Sequence, residues 1–346
     1  MSIFTDKSVS QLVKSGPPTL SSIQELIEVD LDLVAVELQR IVVSDFDLID
    51  QVNEHLFLTR GKLFRPTLLL LSSRVGSEPS DEALTLAAIV ELVHLATLVH
   101  DDAVDHSVLR RGLPTVNAAW THQVAIIMGD YLYSRGVTEL AKLGNVAALE
   151  VLAQAANEMA MGEMRQLTAY DALNFGEDEY YTLIASKTAS LMSAACEMGA
   201  LAGIPSYRSR LAEYGSHLGM AFQIADDLLD YTACETITGK PSGQDLREHK
   251  VTLPLVGALA HTTESEHRQI RTFFDSANPS EEDIARIIGI VEERGGAGVR
   301  SSARRSLRAA GPSLAIRALR KPGACGVNGS GELGCGSSTM KDGYAC

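Results

Sequence analysis

The chain has 346 residues, of which 45% are hydrophobic, and a formal net charge of −14. That is ample apolar material for a sizeable core, in one large domain or two ordinary ones. The charge excludes nucleic acid as the expected partner, because a phosphate-backbone binder presents a basic face. An anionic ligand stays compatible with an acidic protein once bound cations invert the local charge logic.

In chain order, residues 1–20 read as a flexible leader broken by Gly16, Pro17 and Pro18. The opening MSIFTDKSVSQLVKSGPP lacks the apolar stretch of a secretory signal. The cysteines are Cys196, Cys234, Cys325, Cys335 and Cys346, with no CxxC pair, which predicts a reduced, cytoplasmic setting. The apolar run Leu68–Leu71 is far shorter than the roughly 20 residues that cross a bilayer. No transmembrane segment is expected.

Residues 21–294 read as one all-α domain. Aromatics are only 5%, Ala and Leu dominate, and few stretches alternate as strands do. Ser80 is a predicted N-cap, with Asp81 and Glu82 in the first turn of the helix that carries ALTLAAIVELVHLATLVHDD. Apolar residues run nearly all round that helix, so it is expected in the core. A second helix is predicted around Tyr180 to Leu201, carrying Lys187, and a third over Arg210 to Tyr231. From residue 295 the character changes. Residues 295–346 hold eight Lys and Arg against Glu332 and Asp342, a net of +6, with Gly and Ser crowding the end. This composition suits a poorly ordered tail, and the switch at Gly295 resembles a change of reading frame.

Two matching motifs carry the chemistry: Asp101-Asp102-Ala103-Val104-Asp105 and Asp226-Asp227-Leu228-Leu229-Asp230. In a helix, residues i and i+4 share a face, so Asp101 projects with Asp105 and Asp226 with Asp230. One such motif alone reads equally well as a solvated acidic helix end. Two copies, each in a strongly apolar helix, point to cations that offset the mutual repulsion. Hard oxygen ligands favour a hard divalent cation such as Mg²⁺. His94, Asp101 and Asp105 follow one helical stripe, as do Gln223, Asp227 and Asp230.

These motifs occur in order with GKLFRP (61–66), ELVHLATLVHDDAVDHSVLRRGLPT (91–115), GDYLYSR (129–135), GEMRQL (162–167), SKTASL (186–191), FQIADDLLD (222–230) and GKPSGQDLREHKVTLP (239–254). Together they resemble the trans-isoprenyl diphosphate synthase family over roughly residues 25–290. The resemblance implies a single large bundle of antiparallel helices around a deep central cavity, acting as a homodimer. The activity it implies is joining isopentenyl diphosphate to an allylic diphosphate. Three Mg²⁺ ions would be held between the two motifs. By match, Asp101, Asp105 and Asp226 are expected as direct ligands, with Asp102, Asp227 and Asp230 completing or supporting the sphere. Lys187, Lys240 and Arg110 are expected on the allylic diphosphate, with Lys250 closing over it. Lys62, Arg65, His94 and Arg111 are expected to form a metal-free pocket for isopentenyl diphosphate, where arginine forks suit phosphate. Lys187, Thr188 and Gln223 match positions whose dipoles face the carbocation. The plainer readings are Arg110 and Arg111 as a surface pair, His94 as a core histidine, Lys187 and Lys250 as ordinary surface lysines, and Gln223 as the cap of a core polar contact. Asn117, Glu163 and Gln166 match recurrent positions and are given no direct role.

Ala96 and Thr97 lie five and four residues before Asp101, roughly 6–8 Å deeper at about 1.5 Å per residue. Short-chain members commonly place bulky aromatics here. Small side chains therefore predict a medium- or long-chain product, with Val90, Val93 or a methionine within Met159–Met164 as a deeper floor. The alternatives are a short-chain synthase of farnesyl or geranylgeranyl type, a terpene cyclase and a non-catalytic subunit of a heterodimeric synthase. Two intact DDxxD motifs with Lys62, Arg65 and Arg111 count against the last two.

Overall fold

A computed structural model of the chain describes residues 19–58, 61–76, 80–168, 173–232, 242–276 and 278–295. The helices in chain order are α1 (Leu20–Gln24), α2 (Glu28–Val42), α3 (Asp47–Leu58), α4 (Phe64–Ser73), α5 (Asp81–Val104), α6 (Val116–Ala119), α7 (His122–Leu143), α8 (Val146–Thr168), α9 (Glu177–Ile184), α10 (Ser190–Ala202), α11 (Arg208–Thr232), α12 (Gln244–Arg247), α13 (Leu253–Leu259), α14 (Glu264–Asp275) and α15 (Glu281–Gly295). The expectations for residues 1–18 and for the tail from 296 onward lie outside the described residues, as do Lys240 and every cysteine except Cys196.

The axis of the fold is α5. Ser80 accepts the Ala83 N–H at 3.3 Å, and Asp81 and Glu82 occupy the positive end of the helix dipole. Leu86, Ala87, Ala88, Ile89, Val90, Leu92 and Val93 are all buried, because α2, α4, α7 and α10 pack around the helix. Each Leu or Ile so buried contributes about 1.5–3 kcal/mol. By length and composition α5 could cross a bilayer, but most of its apolar window is covered by these neighbours, so its hydrophobicity is that of a core helix.

Among the described residues the only strands are β1 (Leu109–Arg110) and β2 (Leu113–Pro114), paired antiparallel just beyond α5. The two residues between them, Arg111 and Gly112, have φ of 53° and 79°. Left-handed backbone at both central positions is the geometry of a type I′ hairpin. The sequence reading gave no strand here, because a four-residue ribbon is too short to show alternation.

The helix expected around Tyr180 to Leu201 is a rod running from α9 into α10, interrupted by a π-helical turn at Ala185–Ala189. Such turns widen a helix locally and are frequent at functional sites. Against this turn lies α11. Gly219 permits the approach, since a Cβ there would stand 2.6 Å from the Ala189 Cα. Beneath the turn, Tyr180, Ile184, Ile224 and Leu253 form a small core of their own, while α13, α14 and α15 pack on Tyr231 and Leu246 in another.

Candidate active site

The first aspartate motif closes α5. Asp102 is buried and receives Arg110 from the hairpin in a forked pair, with Nε–Oδ2 and Nη2–Oδ1 both at 2.8 Å. Asp101 lies 3.8 Å from the Lys187 Nζ. Burial, with help from Glu163 and Asp105 against the opposing pull of Lys187 and Lys250, pushes its carboxyl up to about 6. Asp105 receives the Lys250 Nζ at 3.0 Å, and the chain then turns at His106 with φ of 52°.

The second motif sits on α11. Asp226 is exposed. Asp227 is buried and accepts from the Tyr180 hydroxyl at 2.5 Å and from the Gln223 Nε2 at 2.7 Å. Burial and the charges of Asp226 and Asp230 raise it to about 6, against those two hydrogen bonds. Asp230 accepts two backbone N–H groups, from Gln244 and Asp245, each at 3.0 Å.

Two bridges hold the motifs on one side of the molecule. Lys187 and Thr188 are neighbours on the π turn; the first reaches Asp101, and the second donates at 2.7 Å to Gln223 Oε1, which leads to Asp227. The other bridge runs from Asp105 to Lys250, whose N–H donates to the Asp245 carbonyl, and from the Asp245 N–H to Asp230. Asp245, deep among Asp227, Asp230 and Glu248, is pushed up to about 8, mainly by burial. Among the described residues no three His, Cys, Asp or Glu side chains converge tightly enough to hold a metal unaided. The six aspartates therefore do not form one cluster. Asp102, Asp227 and Asp230 are engaged by the protein itself, while Asp101 and Asp105 face ammonium groups. Carboxylates offered singly from opposite sides suit Mg²⁺, which takes one or two of them with water and phosphate oxygens.

The expected basic pocket is partly assembled. Burial and the charges of Arg65, Arg111 and Arg110, in that order, hold His94 well below the usual imidazole range, so these four lie within one electrostatic neighbourhood. Arg111 is exposed, with its guanidinium over Gly61. The Arg65 Nε is buried without a hydrogen-bond partner among the described residues, and the charge of buried Glu91 supports the guanidinium. Lys62 is exposed; its carbonyl accepts from the Gln24 Nε2 at 2.6 Å. Ala96 is buried and Thr97 half-buried, with the Thr97 hydroxyl bonded back to the His94 carbonyl. Val93 packs toward Gly136 of α7. On α8, Met159 shares the face of Glu163 and is buried, whereas Met161 and Met164 are exposed.

Sequence reasoning named Glu163 and Gln166 but gave them no direct role; they hold the Lys187 Nζ at 2.5 Å and 3.1 Å. The GEMRQL segment already put this pair on one helical face. It also missed Tyr180, Asp245 and Glu248, whose roles depend on contacts far apart in the chain.

An all-α fold that brings two aspartate-rich helix segments together around a lysine, beside a group of arginines, defines a class of helical enzymes built to hold diphosphates. Residues 46–291 match the polyprenyl synthetase family. Octaprenyl diphosphate synthase of Escherichia coli (strain K12) is 39% identical over 261 residues, covering 75% of this chain and 81% of that protein. Heptaprenyl diphosphate synthase component 2 of Geobacillus stearothermophilus is 37% identical over 276 residues, covering 79% and 83%. The crystal structure of a polyprenyl synthase from Caulobacter crescentus CB15, complexed with calcium and isoprenyl diphosphate, superposes with a TM-score of 0.81 at 33% identity, over 86% of this chain and 92% of that one. The chain belongs to the polyprenyl synthetase family and is a prenyltransferase of isoprenoid biosynthesis.

Proposed function

We propose that the protein condenses isopentenyl diphosphate, head to tail and in trans geometry, with an allylic diphosphate such as farnesyl or geranylgeranyl diphosphate, giving a medium- or long-chain all-trans polyprenyl diphosphate. The observation that carries the reading is the double bridge between the two aspartate motifs, with Lys187 and Thr188 at its centre. Asp101, Asp105 and Asp226 would hold three Mg²⁺ ions, with Asp102, Asp227 and Asp230 supporting them. When bound, Mg²⁺ would supply the charge neutralisation that lets a diphosphate depart. Lys187, Lys250 and Arg110, each paired with an aspartate of the first motif, would take diphosphate oxygens, and Lys240 is assigned with them from its motif alone. Arg65, Arg111, Lys62 and His94 are assigned to isopentenyl diphosphate; neutral His94 serves as a hydrogen-bond partner rather than a charge. Thr188 and Gln223 turn oxygen dipoles toward the developing allylic cation. The proton lost after condensation leaves with the departing diphosphate, so no nucleophilic triad is required.

The chain length rests on the small side chains of Ala96 and Thr97, and on the octaprenyl and heptaprenyl relatives. We assign the protein to the cytoplasm, with peripheral membrane contact for product release, and to a homodimer whose second copy covers exposed Ile126, Ile127 and Met164. The heptaprenyl relative is named as one component, which favours a two-protein synthase as the second reading. The test is incubation with labelled isopentenyl diphosphate, farnesyl diphosphate and Mg²⁺, followed by sizing of the products. Long linear polyprenyl diphosphates support the proposal, and cyclic hydrocarbons refute it. Turnover that appears only on adding a second protein supports the two-component reading.

A further inference from the structure

We propose that Tyr180 is a positioning residue for prenyl transfer: through Asp227 it fixes which end of the Gln223 amide faces the reacting centre. The inference rests on the functional reading above and extends it to a side chain that touches no substrate. Tyr180 is 1% exposed and sits among Ile184, Ile224 and Leu253, one layer beneath the site. Its hydroxyl donates to Asp227 Oδ2 at 2.5 Å, and the Gln223 Nε2 donates to Asp227 Oδ1 at 2.7 Å.

Both Asp227 oxygens act as acceptors here, one for each of these two donors. Gln223 must therefore turn its NH₂ toward Asp227 and its amide oxygen away. That oxygen accepts the Thr188 hydroxyl at 2.7 Å. The reversed amide would set oxygen against carboxylate and NH₂ against a hydroxyl that must then find another acceptor. With its single hydroxyl hydrogen committed to Gln223, Thr188 is left with lone pairs that can only accept, and the Gln223 oxygen keeps a second lone pair. Fixed lone-pair dipoles are what a developing positive charge requires, and they act only if their direction is set beforehand.

Tyr180 secures that direction because it occupies the carboxylate oxygen Gln223 does not use. Asp227 is thereby pinned from both sides in a buried place, where water offers no substitute donor. A phenylalanine would fill the same apolar space and remove only the donor. Asp227 could then rotate, and the Gln223 amide would lose its fixed sense.

The test is a double-mutant cycle of Tyr180→Phe and Gln223→Leu, with Tyr181→Phe as a packing control. In steady-state assays Y180F is expected to lower kcat about tenfold, the scale of one hydrogen bond to a charged group, with KM for both diphosphates changed less than about twofold. Q223L is expected to cost at least as much, and the double variant no more than Q223L alone, because coupled residues are non-additive. The same cycle read by urea unfolding of the metal-free proteins is also expected to be non-additive. A wild-type protein without turnover overturns the functional reading and this proposal together. An active wild type in which the two kcat losses multiply, or in which Y180F keeps full kcat, overturns the role of Tyr180 alone.

Discussion

Replacing Gly219 by alanine tests how closely α11 must lie against the π turn. The added Cβ would stand 2.6 Å from the Ala189 Cα, 3.0 Å from its Cβ and 3.3 Å from the Met192 sulfur. Carbon atoms pack comfortably at about 3.5–4.0 Å, and the nearest atom belongs to backbone that cannot rotate aside. The helix must therefore retreat by about 1 Å. The Thr188–Gln223 hydrogen bond, now 2.7 Å, would then lengthen to about 3.7 Å, outside bonding range. Overpacking costs about 1–3 kcal/mol, and alanine in a helix interior returns about 1 kcal/mol over glycine. The net loss of stability is thus about 0–2 kcal/mol, and the variant folds. The rate should suffer more, since a misplacement of about 1 Å can cost about a hundredfold. The assay is kcat by incorporation of labelled isopentenyl diphosphate, with urea unfolding on the same preparation. Gly289→Ala on α15 is the control: nothing lies within 4 Å of its added Cβ, so it should gain up to about 1 kcal/mol and leave kcat unchanged. A G219A enzyme with wild-type kcat would refute the claim that the π turn and α11 must be held together so tightly.

Ala96→Phe and Thr97→Phe should each shorten the product by one or more isoprene units, and Met159→Ala should lengthen it; product sizing decides, and an unchanged spectrum in all three removes the floor from these positions. In the metal-free protein, Asp101 and Asp227 are held up at about 6 and Asp245 at about 8, whereas the unfolded chain loses those protons near 4. The folded state binds more protons, so stability falls as pH rises, by at most about 1.4 kcal/mol per pH unit for each group still protonated. Between pH 6 and 8 Asp245 dominates. Unfolding midpoints should be higher at pH 6 than at pH 8, and Asp245→Asn should flatten the difference; a midpoint that climbs over this range contradicts the burial argument.

Much of the site was legible because its signals are local. The Ser80 cap, the apolar run of α5 and the i, i+4 spacing within each motif need only neighbouring residues. The contacts that organise the site do not. Tyr180 meets Asp227 across 47 residues, and Lys250 meets Asp105 across 145. The π turn at Ala185–Ala189 carries no composition signal, since Ala, Ser, Lys and Thr fit an ordinary helix equally well. The type I′ hairpin was marked only by a single Gly112, because its partner position is an arginine with positive φ. That turn separates the two adjacent arginines, sending Arg110 to Asp102 and Arg111 over Gly61, which spacing alone could not decide.

The central claim is that the two aspartate motifs serve one bound diphosphate through shared metal ions. The most direct measurement is anomalous scattering from crystals of the protein with Mn²⁺ and a non-ionising allylic diphosphate analogue. The account predicts Mn²⁺ ligated by Asp101 and Asp105 on one side of the diphosphate and by Asp226 on the other, with Lys187 and Lys250 turned to phosphate oxygens. Metal confined to one motif, or a diphosphate bound away from both, would contradict it.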